Sequence, residues 1–278
     1  MPTVLLPRAI LAASLLLGNG ATWAESRCSE ITSSQPATLS CSYKTLAIDS
    51  GSAGKRKVVY QVPLGKAPAG GWPVALLYHG ALVTVYNFSY HSDMPFGGYY
   101  QGKLIQGLLD GGYAVVAPNA LTAKEAWQTN APEYASDYQQ SNDYLFLNNL
   151  FGAIASGKFG PLNRKRQYAT GISSGGYNSS RMAVSFPGKF KALAIQSASY
   201  ATCVGGDCAV PALPADHPPT LFIHGQLDWI VPWTSMQPYH ERLLYQGLET
   251  SLHSEPDGGH AWFASSPGLV LDWFNRHP

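Results

Sequence analysis

The residues best suited to covalent chemistry lie in Gly171-Ile172-Ser173-Ser174-Gly175, a G-x-S-x-G run inside Tyr168–Tyr177. A serine hydroxyl becomes a nucleophile when a neighbouring base takes its proton, and the natural target is an acyl carbon. A β-prone run, Gln167 to Thr170, precedes it, and a helix-compatible run, Asn178 to Phe186, follows. Strand, sharp turn, helix is the setting of a nucleophile elbow. The backbone at such a bend is strained, and side chains two residues away on either side would collide. Ser173 has Gly171 and Gly175 at those places, whereas Ser174 would have Ile172 and Gly176, so Ser173 is the expected nucleophile. A glycine-serine loop without chemical meaning is the bland alternative, and the flanking elements argue against it.

A hydroxyl needs an imidazole base, and the base needs an orienting carboxylate. The elements that must position them read as alternating strands and helices. Expected strands are Lys57–Pro63, Trp72–Tyr78, Tyr113–Ala117, the elbow strand, Lys191–Gln196, Thr220–His224 and Thr250–Glu255. Expected helices are Phe96–Asp110, Asp143–Ser156, the elbow helix, Ser235–Gly247 and Ala261–Arg276. Ser26–Asp49 is expected to be an irregular arm. This alternation implies an α/β domain with a mostly parallel central sheet and helices on both faces. Active sites of such sheets collect at the carboxyl ends of the strands. Asp228 lies just beyond one strand, in His224-Gly225-Gln226-Leu227-Asp228, and is the expected acid. His260 follows the last strand after Gly258-Gly259 and is the expected general base, opening the final helix. His79 and His224 also sit at strand ends, each before a glycine, and are read as packing residues of those turns. The order Ser, Asp, His is that of the α/β-hydrolase fold. The attacked carbonyl would develop a negative oxygen, for which the backbone N–H groups of Ser174 and Ala81 are the expected oxyanion donors.

Composition bounds the rest. The chain has 278 residues, a net charge of +1 and only 13% charged residues. There is no basic run, so no nucleic-acid partner is expected. Arg8, the apolar run Ala9–Leu17 and Thr22-Trp23-Ala24 read as a signal peptide over residues 1–24, leaving 25–278 as one catalytic domain and a secreted product. No other stretch is long and apolar enough to span a membrane. Four cysteines, Cys28, Cys41, Cys203 and Cys208, suit an oxidising compartment. Three pairings are possible; Cys28–Cys41 with Cys203–Cys208 needs the least long-range closure and is the expected one. The spacings lack C-x₂-C, so no metal site is expected, and the chemistry calls for no cofactor.

At this point the chain resembles a known family over nearly its whole length: the secreted bacterial depolymerases of medium-chain-length polyhydroxyalkanoates, of the poly(3-hydroxyoctanoate) type. The resemblance rests on Tyr168-Ala-Thr-Gly-Ile-Ser-Ser-Gly-Gly-Tyr-Asn with Ser-Arg-Met-Ala-Val-Ser-Phe-Pro-Gly-Lys-Phe190 after it. It also rests on Phe88-Ser-Tyr-His, Pro95-Phe-Gly-Gly-Tyr-Tyr, Ala215-Asp-His-Pro-Pro-Thr, Gly259-His and Trp262-Phe263. It implies a one-domain serine esterase using Ser173, Asp228 and His260, acting on water-insoluble polyester outside the cell, with no separate polymer-binding domain. The segment between Ser197 and Pro219, where lids of this fold usually enter, is too short for a large helical cap, so an open groove is expected. Trp127, Tyr177, Tyr200, Trp229, Trp233 and Trp262 lie near the expected strand ends and are candidates to line it. Competing readings are a cutinase-like esterase, a prolyl-type peptidase, and a secreted polymer-binding protein without turnover. Oligomeric state is not legible.

Overall fold

The computed structural model describes residues 24–82, 86–121, 126–134, 137–203 and 208–278. The expected signal peptide therefore lies, but for Ala24, outside the described residues. In chain order the elements are β1 (Cys28–Ile31), β2 (Thr38–Cys41), β3 (Lys44–Asp49), β4 (Lys55–Gln61), β5 (Trp72–Tyr78), β6 (Ser89–His91), α1 (Gly98–Asp110) and β7 (Ala114–Pro118). They continue with α2 (Asn142–Ala155), β8 (Leu162–Ile172), α3 (Ser174–Ser185), β9 (Phe190–Gln196), β10 (Thr220–Gly225), α4 (Trp233–Tyr245), β11 (Thr250–Glu255) and α5 (Ser266–Arg276).

Eight strands form one sheet in the order β11-β10-β9-β8-β5-β7-β4-β3. From β11 through β7 all neighbours pair parallel, while β4 and β3 add an antiparallel edge. Every residue of β5 is buried, because parallel strands are covered on both faces. Its alternation then decides which side chain meets which helices. Ala75 and Leu77 pack with Leu104, Leu108, Val270 and Phe274 of α1 and α5. Val74, Leu76 and Tyr78 pack with Phe146, Leu150 and Met182 of α2 and α3. A third cluster seats Met236, Tyr239 and Leu243 of α4 against Ile195 and Phe222.

Two expectations are corrected. The arm Ser26–Asp49 is not irregular. Its β1 and β2 form a small antiparallel sheet with β6, in which Cys28 faces Cys41 and the two are disulfide-bonded. Its β3 extends the main sheet by pairing with β4. The arm buries Leu39 and Cys41 on alternate positions, so it supplies both the partners and the apolar contacts that a strand needs. The final helix begins at Ser266 rather than Ala261. Pro267 occupies its first turn, where a missing N–H costs nothing, and the chain before it is held by Trp262 N–H donating to the Phe96 carbonyl at 2.9 Å. The second expected disulfide, Cys203–Cys208, is also formed. Among the described residues between β9 and β10 there is no helix, and no helix of the described chain is long and apolar enough to cross a membrane.

A buried ion pair connects this framework to the loop after β7. The Asp143 carboxylate, in the first turn of α2, accepts from Arg56 Nη1 at 2.6 Å and from the Gln128 N–H at 2.5 Å. Gln128 Oε1 in turn accepts the Asp143 N–H at 3.0 Å. Burial pushes the Asp143 carboxyl up, against the pull of the Arg56 charge. Removing one partner strands the other charge away from water. Asp143→Ala is accordingly expected to cost about 3–5 kcal/mol of stability, read as a lowered midpoint in urea unfolding; a loss near zero would show that Arg56 finds another partner.

Candidate active site

The turn from β8 into α3 is tight because nothing larger than glycine fits on either side of it. A Cβ on Gly175 would lie 2.1 Å from the Tyr78 carbonyl oxygen, and one on Gly171 would lie 2.5 Å from the same atom. With the end of β5 pressed beneath the bend, Ser173 is held at φ 56°, ψ −125°, outside the usual regions for an L residue. Ser174 is the first residue of α3, and its hydroxyl accepts the Trp127 N–H at 2.9 Å.

The loops after β10 and β11 are stitched together. A Cβ on Gly225 would lie 2.2 Å from the Gly258 oxygen. Leu227 N–H donates to that oxygen at 2.9 Å, and Gln226 N–H donates to Glu255 C=O at 2.9 Å. This brings His260 Nδ1 to 2.8 Å from Asp228 Oδ2. The other carboxylate oxygen accepts the N–H groups of Ile230 at 3.0 Å and Val231 at 2.9 Å. Burial pushes the Asp228 carboxyl up, but the hydrogen bonds from His260 and Val231 outweigh it and hold the group below the usual carboxylate range. His224 donates from Nε2 to the Val231 carbonyl at 2.8 Å and lies 3.5 Å from Asp228 Oδ2; it fastens the turn that carries Asp228.

Ser173 and His260 line one cavity of about 160 Å³ together with Gly80, Ala81, Leu82, Phe96, Ile172 and Ile230. Because Nδ1 of His260 is engaged with Asp228, Nε2 is the nitrogen left for Ser173. No Ser173 Oγ–His260 hydrogen bond is formed among the described residues, and such bonds are often long until substrate closes them. A second cavity, of about 370 Å³, flanks the serine and is lined by Ala81, Trp127, Gln128, Ser174, Tyr177 and Val231 among others.

His79 organises the other side. Its Nε2 accepts the Ala120 N–H at 2.9 Å, so the proton sits on Nδ1, which donates to the Gly80 carbonyl at 2.7 Å. In a trans peptide, C=O and the next N–H point in opposite directions. Fastening the Gly80 oxygen to His79 therefore turns the Ala81 N–H away from that ring. Trp127 completes the brace: its indole N–H donates to the His79 carbonyl at 3.0 Å while its backbone N–H holds Ser174.

The expected aromatic lining divides. Trp127 and Tyr177 line the larger cavity, though both are buried. Trp229 is exposed and lines neither cavity. Trp262 is corrected: it belongs to the core beside α1, its indole N–H donating to Gln101 Oε1 at 3.1 Å. Trp233 is half-buried edge-on to His224, and Tyr200 packs on Tyr239. Sequence reasoning missed Leu82, Phe96, Ile172 and Ile230, whose side chains carry no chemical signature; only the glycines after Phe96 hinted at an unusual backbone there. Among the described residues no three His, Cys, Asp or Glu side chains gather to hold a metal.

Burial lowers His79 from the ordinary 6.5 to about 4, the Gly80 carbonyl opposing weakly. Burial also lowers His217 and His224. An unfolded chain takes up these protons near 6.5, while folded His79 refuses its own until about 4. Stability is thus complete above the upper value and lost as pH falls toward the lower one. The His79 share is about 3 kcal/mol. Urea unfolding at a series of pH values should show this slope, and His79→Gln should flatten it; an unchanged slope in the variant would refute the assignment.

No protein-family model matches the chain. Its fold is shared with S-formylglutathione hydrolase from Staphylococcus aureus, at TM-score 0.59 and 14% identity over 90% of this chain and 97% of that one. The corresponding hydrolase from Agrobacterium tumefaciens gives 0.59 and 17% over 90% and 98%. Acetyl xylan esterase from Aspergillus awamori gives 0.61 and 14% over 84% and 99%. These show an α/β-hydrolase fold. In sequence, the chain is 64% identical over 258 residues to poly(3-hydroxyoctanoate) depolymerase from Pseudomonas fluorescens, covering 92% of each. With that much identity along nearly its whole length, the chain belongs to the poly(3-hydroxyoctanoate) depolymerase family.

Proposed function

We propose that the chain is an extracellular serine esterase that hydrolyses the ester bonds of medium-chain-length poly(3-hydroxyalkanoates), with Ser173, His260 and Asp228 as nucleophile, base and orienting acid. The observation that carries this is the part-buried Asp228–His260 hydrogen bond opening on the cavity that Ser173 also lines. Ser173 Oγ attacks the ester carbonyl and gives its proton to His260 Nε2. Asp228 holds the imidazole in the useful tautomer and stabilises its charged form. The tetrahedral oxygen is received by the N–H groups of Ser174 and Ala81; losing one such donor typically costs about 3–4 kcal/mol of barrier. His260 then protonates the departing hydroxyl end of the polymer. Water, activated by the same base, frees the acyl chain from Ser173. Each step moves protons between groups of this chain and the substrate, with no redox change.

The aliphatic walls supplied by Leu82, Ile172 and Ile230 suit an alkyl side branch. Two disulfides and the expected leader fit work outside the cell. The described segment between β9 and β10 contributes no lid, which suits a bulky polymer.

In an aqueous suspension of poly(3-hydroxyoctanoate), the native chain should release 3-hydroxy acids and Ser173→Ala should release none above background while keeping its unfolding midpoint. Asp228→Asn should lose about 10⁴-fold in kcat. Full activity in Ser173→Ala would end the proposal.

A further inference from the structure

We propose that Leu82, Phe96, Leu227, Trp229 and Ile230 form an apolar rim by which the chain settles onto the face of the solid polyester; this rests on the polyester reading of the site. All five are exposed, at 79%, 43%, 62%, 82% and 40% respectively. Scattered exposed leucines need no explanation, but a cluster around one opening does. Leu82, Phe96 and Ile230 line the cavity of Ser173 and His260, while Leu227 and Trp229 flank Asp228 on its tight turn. The rim is thus continuous with the mouth of the site.

Its side chains are held out at a cost. Leu82 and Phe96 sit at φ 60° and 55°, a region that bulky residues rarely occupy, and neither gains burial by it. Phe96 is fixed by its carbonyl accepting Trp262 N–H, and by Gly97, where a Cβ would lie 2.0 Å from the Trp262 oxygen. Leu227 is fixed by its N–H on Gly258, and Ile230 by its N–H on Asp228. None of the five is ionisable. A small soluble ester would need only the cavity. Exposed Trp229 and Leu227, outside it, serve a partner that is apolar, broad and too large to enter, which describes a solid of alkyl-branched polyester.

The test separates adsorption from hydrolysis. In a Ser173→Ala background, depletion of protein from solution over poly(3-hydroxyoctanoate) film is measured with and without Leu227→Gln plus Trp229→Gln. The unsubstituted rim should adsorb, insensitive to high salt. The double change should weaken adsorption by about tenfold or more, with an unchanged unfolding midpoint. Leu227→Ile plus Trp229→Phe, which keeps the apolar area, should restore it. Equal adsorption without the rim would overturn the proposal. So would release from the film in high salt, loss of a dimer in parallel with the substitutions, or binding to phosphatidylcholine vesicles with none to the film. If the rim variant fails to adsorb yet the native chain liberates no 3-hydroxy acid, the esterase assignment falls and the rim stands; the converse pattern retains the esterase and removes the rim.

Discussion

The site depends on one close approach: the carbonyl of Tyr78, last residue of β5, lies directly beneath the bend at Ser173. In the sheet Tyr78 pairs with Gly171, so the two strands deliver their carboxyl ends to the same level. Beyond that pair β8 turns into α3 and presents Ser173, and β5 runs on into His79-Gly80-Ala81. Ser173 and the backbone at Ala81, the proposed nucleophile and oxyanion donor, are therefore spaced by a parallel strand pair. Glycine at 171 and 175 is the condition of that spacing, because a methyl group at either place must push β5 and the bend apart. The cost is the unusual backbone of Ser173, which the sheet below and the helix behind it hold in place.

Asp228 and His260, the proposed acid and base, are joined by the same means on the neighbouring strands. Here Gly225 meets Gly258 backbone to backbone, and the Leu227 N–H bridges the gap. A carboxylate as enclosed as Asp228 would be expensive if left alone. It is stable because two backbone N–H groups and an imidazole N–H converge on it. Those donors keep it ionised, and an ionised carboxylate is what a base needs beside it when its ring becomes charged. His79 and Trp127 do for the Gly80-Ala81 backbone what these turn amides do for Asp228: they fix direction with buried, neutral hydrogen bonds, which lose little when water is excluded.

What the sequence disclosed follows from which signals are local. The alternation along Trp72–Tyr78, the G-x-S-x-G bend and the strand-end positions of Asp228 and His260 are written in short stretches; in the fold the bend is formed, and Asp228 and His260 are hydrogen-bonded beside the cavity that Ser173 lines. The arm before residue 49 was misread because its strands have no strong β pattern of their own: β1 and β2 gain theirs from the cysteine pair and from β6, and β3 from pairing with β4. The final helix was begun too early because Gly258-Gly259-His260 looks like a helix entrance, while the true start is set by Pro267 and by a bond to distant Phe96. Trp262 looked like a substrate contact from its neighbour His260. The two are separated by Ala261 and point to different places, the imidazole to the cavity and the indole to Gln101 in the core. The aliphatic walls were invisible since no residue type or spacing distinguishes a leucine at a mouth from one in a core.

The proposed chemistry and the proposed surface contact share one element, the Asp228 turn. For the carboxylate to accept the amides at 230 and 231, the chain must fold back on itself within three residues. In that loop Asp228 is turned inward, and Trp229 and Ile230 are left on the outside. The bonds that hold Asp228 against His260 therefore also decide where the proposed rim stands relative to that imidazole. A rim carried on a separate mobile segment could grip a surface while leaving the scissile ester at any height above the serine. Rooted on the Asp228 turn, the proposed rim would hold that height constant, so that adhesion to a solid and delivery of an ester bond to Ser173 would become a single geometric event.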